Sequence, residues 1–308
     1  MHNQRILITG VCGFTGRHLV AHLCHVSSAS ITGIDTLAEP ALPVDRYFAC
    51  DLTDQAAVNE VVNESRPTTV FHLAGLMGGA AADAVMRVNI GGFQCLVSAL
   101  RRLESMDGRP IRLVTVGSAA EIGSKSAAKL PVVEDVPCQP ESPYGQSKWE
   151  VTQRALVEPA GGPLEIIVAR PFNLVGPGLS PQLALGNFAR QIAAAIRGET
   201  SEVRCGPLDT RRDFVDVRDA VAAYVQLAER GRHGQIYNVC LGKSFRLGRL
   251  LEILITLANV QVRVVSESPP RPGDLKDIYG DRAKISREVG WKPTISIEHS
   301  LADLLAAA

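Results

Sequence analysis

Residues 5–20, RILITGVCGFTGRHLV, decide how the rest of the chain reads. RILIT is a short, nearly uninterrupted apolar run that stops at a glycine, and a helical segment follows from Phe14. Gly10, Gly13 and Gly16 lie across that junction. In such a strand–turn–helix unit the first glycine permits the tight turn and the second lets backbone approach a pyrophosphate. The third lets helix and strand pack closely. The free N–H groups and positive dipole end of the helix then face the phosphates. Glycines at this spacing also make turns that bind nothing, so the flanking strand and helix carry the reading of a dinucleotide site.

Outward from that unit, strand-like runs recur at 31–35, 47–51, 69–74, 112–118 and 165–170, separated by helical stretches. Almost none alternates polar with apolar residues. Continuous apolar strands between helices predict a parallel sheet covered on both faces, the doubly wound α/β arrangement. Asp54 is placed to cap a helix running to about Ser65, with Pro67 ending it. After Pro171 the texture changes. NLVGPGLSPQLALGN is rich in glycine and proline, and an amphipathic run ends at Gly198. Residues 212–231 and 235–240 look sheet-associated again, whereas 241–308 is mainly helical with SPPRPGD as a rigid loop. The expected division is 1–172 plus 211–240 for the dinucleotide-binding domain, and 173–210 plus 241–308 for a smaller second domain.

The 308 residues are 46% apolar and 21% charged, with 32 basic and 32 acidic side chains. That composition argues against disorder and coiled coil, and zero net charge gives no general attraction to nucleic acid or to an acidic membrane. No uninterrupted apolar run of about 18 residues occurs, so a cytoplasmic protein is expected. Seven scattered cysteines without CxxC spacing suggest neither a disulfide framework nor a zinc ribbon.

Two further groups carry chemistry. Asp35 ends the second strand nineteen residues after Gly16, where a carboxylate can accept both hydroxyls of an adenosine ribose. With no Lys or Arg between Asp35 and Asp45, a 2′-phosphate meets only negative charge, which favours NAD over NADP; a surface aspartate at a strand end is the plainer alternative. Asp51 and Leu52 close the third strand, where they border an adenine or form a solvated turn. In SPYGQSKWE, Tyr144 and Lys148 stand four apart, on one helix face. An ammonium close to a phenol lowers its proton affinity from about 10 toward the range useful for proton exchange. Ser118, at the carboxyl end of the fifth strand, can hydrogen-bond the reacting oxygen beside Tyr144; a serine there is otherwise an ordinary turn former.

Together, TGxxGxxG, Asp35, Ser118 and Tyr144–Lys148 resemble the extended short-chain dehydrogenase/reductase family over essentially the whole chain. SPYGQSK, RPFNLVGPG, RDFVDVRD, YNVC and GWKPTISIEHSL are most similar to its nucleotide-sugar enzymes, in particular the GDP-4-keto-6-deoxy-mannose reductase and GDP-mannose 4,6-dehydratase group. The resemblance implies a Rossmann-type doubly wound sheet with a smaller, mainly helical C-terminal substrate domain. It implies catalysis by Ser118, Tyr144 and Lys148. Coenzyme contacts would come from Gly10, Gly13, Phe14, Thr15, Gly16, Asp35, Asp51, Leu52, Leu73, Ala74, Tyr144, Lys148 and Pro171. Substrate contacts would come from Ser118, Asn173, Arg212 and Arg271, the arginines gripping a diphosphate. Arg212 pairing with Asp213 or Asp216, and Arg271 with Asp274, is an equal alternative. The expected activity is reduction of the C4 ketone of a GDP-4-keto-6-deoxyhexose. A nucleotide-sugar 4-epimerase is the nearest alternative, and a 4,6-dehydratase or a non-catalytic NAD-binding regulator stands further off.

The sequence departs from that pattern at two places. Dehydratases of the group carry an acid two residues after the strand-end Ser or Thr; here that position is Ala120, with Glu121 one residue later, which disfavours water elimination. Ile122 replaces a frequent Tyr. His18, His22 and His25 recur at helical spacing, yet no acid lies nearby to complete a metal site, so no metal is expected. His72 reads as a satisfied core side chain, and the loop at Met77, Gly78 and Gly79 as a border of the sugar site. Stretches 84–106 and 144–158 either pair across a two-fold axis in a homodimer or pack internally.

Overall fold

Ile6 and Ile8 of the first strand turn to one side of a sheet and Leu7 to the other, and all three are buried, because helices cover both faces. The computed structural model describes residues 4–38, 42–77, 79–103, 108–124, 126, 129–266 and 276–308.

From β1 (Arg5–Thr9) the chain passes through the glycine turn into α1 (Phe14–Val26), then β2 (Ser30–Asp35), β3 (Arg46–Ala49), α2 (Gln55–Ser65) and β4 (Thr69–His72). α3 (Ala82–Met86) continues through a π-helical turn (Arg87–Gly91) into α4 (Gly92–Arg102). β5 (Ile111–Val116), a 3-10 turn (Ala119–Glu121), α5 (Pro143–Leu156) and β6 (Leu164–Pro171) follow. The remainder is β7 (Asn173–Val175), α6 (Ala184–Ile196), β8 (Glu202–Cys205), β9 (Arg211–Asp216), α7 (Val217–Arg230) and β10 (Gln235–Val239), then β11 (Ser244–Arg246), α8 (Leu247–Ala258), β12 (Arg263–Ser266), β13 (Asp277–Ile278), α9 (Ala283–Val289) and α10 (Ile297–Ala306). As expected, Asp54 caps α2, its carboxylate accepting the N–H groups of Ala56 and Ala57. The helix ends one residue before Pro67, at Arg66 in a left-handed conformation.

Seven parallel strands form the main sheet in the order β3-β2-β1-β4-β5-β6-β10. The order reverses between β1 and β4, so a crevice opens beyond their carboxyl ends, where open α/β sheets take ligands. Helices α1 and α7 pack on one face over Ile8, Phe71 and Val114, and α2, α4 and α5 on the other over Leu7, Val70 and Leu113. This is the Rossmann-type sheet that the sequence predicts.

Residues 212–216 depart from expectation. β9 does not join the main sheet; it pairs with β7, β11 and β13 in a small separate one, while α7 returns to the main sheet beside α1. α6, α8 and α10 build a third core around Phe188, Leu250 and Leu301. Arg271, Gly78 and the SPPRPGD loop lie outside the described residues. His18 hydrogen-bonds the Pro177 carbonyl at 2.9 Å and meets the Phe14 ring edge-on. The apolar residues of α4 and α5 turn toward the sheet. No helix among the described residues is long and apolar enough to cross a membrane.

Candidate active site

The site begins with the glycine turn. Gly10 sits at φ +71°, a conformation costly for other residues, and a side chain there would strike Ala74 backbone at 2.7 Å. Its N–H donates to Ile34 O at 2.8 Å, tying the turn to β2. Gly16 has no room for a side chain either: a Cβ would lie 2.4 Å from Gly10 O, so its constraint comes from the turn itself rather than from the strand. A Cβ on Gly13 would meet only Gly10 O, at 3.2 Å, which leaves its outer side open. Gly13 is the N-cap of α1, no side chain caps that end, and no acid stands in the first turn. Uncapped N–H groups facing an open glycine suit a pyrophosphate. The turn therefore fits the pyrophosphate of a dinucleotide, with Phe14 and Thr15 on that first helical turn.

Asp35 accepts the Cys12 N–H at 2.9 Å through Oδ2 and the Thr36 N–H at 2.8 Å through Oδ1, which fixes its carboxylate beside the turn. Asp51 is exposed and accepts the Thr53 N–H and hydroxyl, both at 2.9 Å, so it shapes the turn after β3. Leu52 turns inward onto Gly92. Leu73 and Ala74 follow β4 over Gly10, and Ala74 N–H donates to Thr9 Oγ1 at 3.3 Å. The same hydroxyl meets His72 Nδ1 at 2.8 Å, so His72 is the satisfied core residue expected of it, and burial pushes its pKa down to about 3. Pro171 is buried at the end of β6.

Ser118 lies just past β5 and caps the 3-10 turn, its Oγ accepting the Ala120 N–H at 3.1 Å. Tyr144 opens α5, whose start is set by Pro143 in the first turn and by Ser142 accepting the Gly145 N–H. The Tyr144 phenol lies close enough to Ser118 for the serine side chain to lower its proton affinity. Lys148, one turn on, is buried, and its Nζ donates to Val116 O at 2.9 Å. The structure thus brings Ser118, Tyr144 and Lys148 to one end of β5.

Their electrostatics correct one expectation. The Tyr144 phenol lies above its ordinary pKa rather than below it. Burial raises the phenol above its ordinary pKa, Ser118 only partly opposes this, and Glu121 adds to it. The ammonium faces the Val116 carbonyl, and burial lowers its pKa to about 8. Desolvation is the largest influence on each of the two groups. Tyr144 consequently holds its proton at neutral pH, as a proton donor must.

Glu121 is wholly buried. It accepts the Ser118 N–H at 2.7 Å, the Thr152 hydroxyl at 3.1 Å and Arg170 Nε at 3.2 Å, with Arg170 equally buried. Its carboxylate is spent inside the core, and Ala120 offers no acid in its place. Ile122 is buried with Phe172 and Cys240.

Sequence reasoning passed over Asn89. From the π-helical turn it binds Leu76 through both amide groups, at 2.7 and 3.0 Å, and donates to Ser147 Oγ at 2.9 Å. It thereby anchors the loop after β4 beside α5. The available signal was a polar residue inside the apolar run of a helix.

Among the substrate candidates, exposed Asn173 donates to Asp213 O at 3.0 Å, and β7 and β9 set it in register with Phe214, two residues from Arg212. Arg212 Nη1 donates to Arg211 O at 2.8 Å. Asp213 accepts the backbone N–H groups of Leu241 and Gly242, and Asp216 caps α7 and binds Arg218 and Ser300.

Comparison with known proteins matches residues 6–240 to the NAD dependent epimerase/dehydratase family. The chain belongs to that family. It is therefore an enzyme of the extended short-chain dehydrogenase/reductase type that uses a nicotinamide coenzyme. It is 31% identical to a GDP-6-deoxy-D-mannose reductase of Pseudomonas aeruginosa, over 98% of this chain and 96% of that one. It is 28% identical to a dTDP-6-deoxy-L-talose 4-dehydrogenase (NAD(P)(+)) of Kitasatospora kifunensis, over 98% and 95%. The solved structure of RMD from Pseudomonas aeruginosa complexed with NADPH superposes with a TM-score of 0.86 at 28% identity, covering 99% of this chain and 98% of that one.

Proposed function

We propose that this enzyme reduces the C4 ketone of a GDP-linked 4-keto-6-deoxyhexose. The observation that carries the reading is the Tyr144–Ser118 hydroxyl pair at the end of β5, in a chain whose neighbouring position, Ala120, has no acid for water elimination. Gly10, Gly13, Gly16 and Asp35 would hold the coenzyme, which when bound supplies the hydride. Tyr144, kept protonated by burial, donates its proton to the oxygen developing negative charge at C4. Ser118 hydrogen-bonds the same oxygen and sets its direction. Lys148 would hydrogen-bond the nicotinamide ribose when the coenzyme is bound, and its bond to Val116 O holds the start of α5 in place. Asn173 and Arg212, with Arg271, grip the diphosphate and keep the sugar in line.

The test follows nicotinamide absorbance with NADH or NADPH against GDP- and UDP-linked 4-ketosugars. One coenzyme consumed per sugar is expected. Turnover of the sugar with no net consumption would instead make the chain a 4-epimerase, the second reading, which uses the same residues and accords with the family's name. Tyr144→Phe is expected to lower kcat at least about 10²-fold, the usual contribution of a positioned proton donor; near-normal turnover would remove Tyr144 from the role. A cytoplasmic location and a homodimer through 84–106 and 144–158 belong to the same proposal, and sedimentation equilibrium returning the mass of one chain would remove the dimer.

A further inference from the structure

The proposed reaction makes no use of Arg17, the residue after Gly16. It is exposed on α1, and its Nε donates to the Cys12 carbonyl at 2.8 Å. The N–H of the same Cys12 donates to Asp35 Oδ2 at 2.9 Å. One residue of the glycine turn, Cys12, therefore links the guanidinium to the Asp35 carboxylate. Among the described residues, the two terminal nitrogens of Arg17 have no protein acceptor and no carboxylate lies within ion-pairing distance. Both oxygens of Asp35 already accept backbone N–H groups, which spreads the negative charge that a second anion would meet.

We propose that Arg17 is the receptor for a 2′-phosphate, so that the groove takes NADP(H) as well as NAD(H). This rests on reading residues 10–35 as the coenzyme groove. It revises the expectation drawn from the lack of Lys or Arg between Asp35 and Asp45: the cation comes from the helix rather than from the loop after β2. A guanidinium offers two parallel N–H donors to phosphate oxygens, and its anchored Nε reduces the side-chain freedom lost on binding. The unphosphorylated ribose needs Asp35 alone. Arg17 thus acts on one coenzyme and not on the other.

Titration of coenzyme fluorescence in the wild type, Arg17→Gln and Asp35→Asn tests this without turnover, and 2′,5′-ADP and 5′-ADP repeat it without the nicotinamide half. The wild type is expected to bind NADPH within about tenfold of NADH. Arg17→Gln should weaken NADPH and 2′,5′-ADP by about tenfold or more, and NADH and 5′-ADP by less than about threefold. Asp35→Asn should shift preference the opposite way. Added salt should weaken NADPH more in the wild type than in Arg17→Gln. Equal losses for both coenzymes, no loss, or wild-type NADPH binding more than about a hundredfold weaker than NADH would overturn the role of Arg17 while leaving the groove standing. Failure of the wild type to bind either coenzyme would overturn the reading of the groove itself.

Discussion

A Cβ at Gly16 would lie 2.4 Å from Gly10 O and 2.5 Å from Val11 O, and backbone atoms cannot yield as a flexible side chain can. Gly16→Ala should therefore deform the turn and abolish coenzyme binding, at a cost of about 1–3 kcal/mol from overpacking; unchanged coenzyme affinity and Tm would contradict this. Lys148 is the opposite case, a residue that costs stability. Its pKa falls to about 8 in the fold and returns to about 10.4 on unfolding. Between those values the unfolded chain binds more protons, so its penalty is full below pH 8 and relieved as pH rises toward 10. Lys148→Met should stabilise the protein at pH 7 by up to about 3 kcal/mol, with the advantage shrinking by pH 10 in urea melts. No gain at pH 7 would mean that the ammonium is solvated.

Three elements meet at one buried ion pair. Glu121 from the 3-10 turn, Arg170 from β6 and Thr152 from α5 satisfy one another, and Glu121 also fixes the backbone of Ser118. Arg170→Met leaves a carboxylate buried without its partner and should cost about 3–5 kcal/mol, whereas Arg170→Met with Glu121→Leu should recover much of it. A double variant no more stable than the single would show that the hydrogen bonds, rather than the unpaired charge, carry the cost. Element boundaries were legible where local chemistry decides them. β1 matches the RILIT run, and α2 begins at its Asp54 cap. Edges set by the neighbouring strand were less legible: β4 and β5 stop two residues short of their apolar runs.

At the scale of the molecule, the C-terminal segment is fastened to the main sheet by α7. Trp291 is buried and donates Nε1–H to Asp219 O at 3.0 Å, while the Asp219 carboxylate accepts the N–H groups of Thr294 and Ile295. Trp291→Ala should therefore cost about 3–5 kcal/mol and lower Tm by several degrees. A change confined to the C-terminal helices, with the main transition unmoved, would show that the two parts melt separately.

By itself the sequence determined the parallel sheet, the glycine turn and the identities of Ser118, Tyr144 and Lys148, since each depends on neighbours close along the chain: apolar continuity, a strand–helix junction, a four-residue helical step. Only the tertiary structure decided where β9 pairs, which way Glu121 points and whether burial or the ammonium governs the phenol. Those outcomes depend on desolvation and on partners tens of residues away, such as Arg170, 49 residues from Glu121, and no local pattern encodes them.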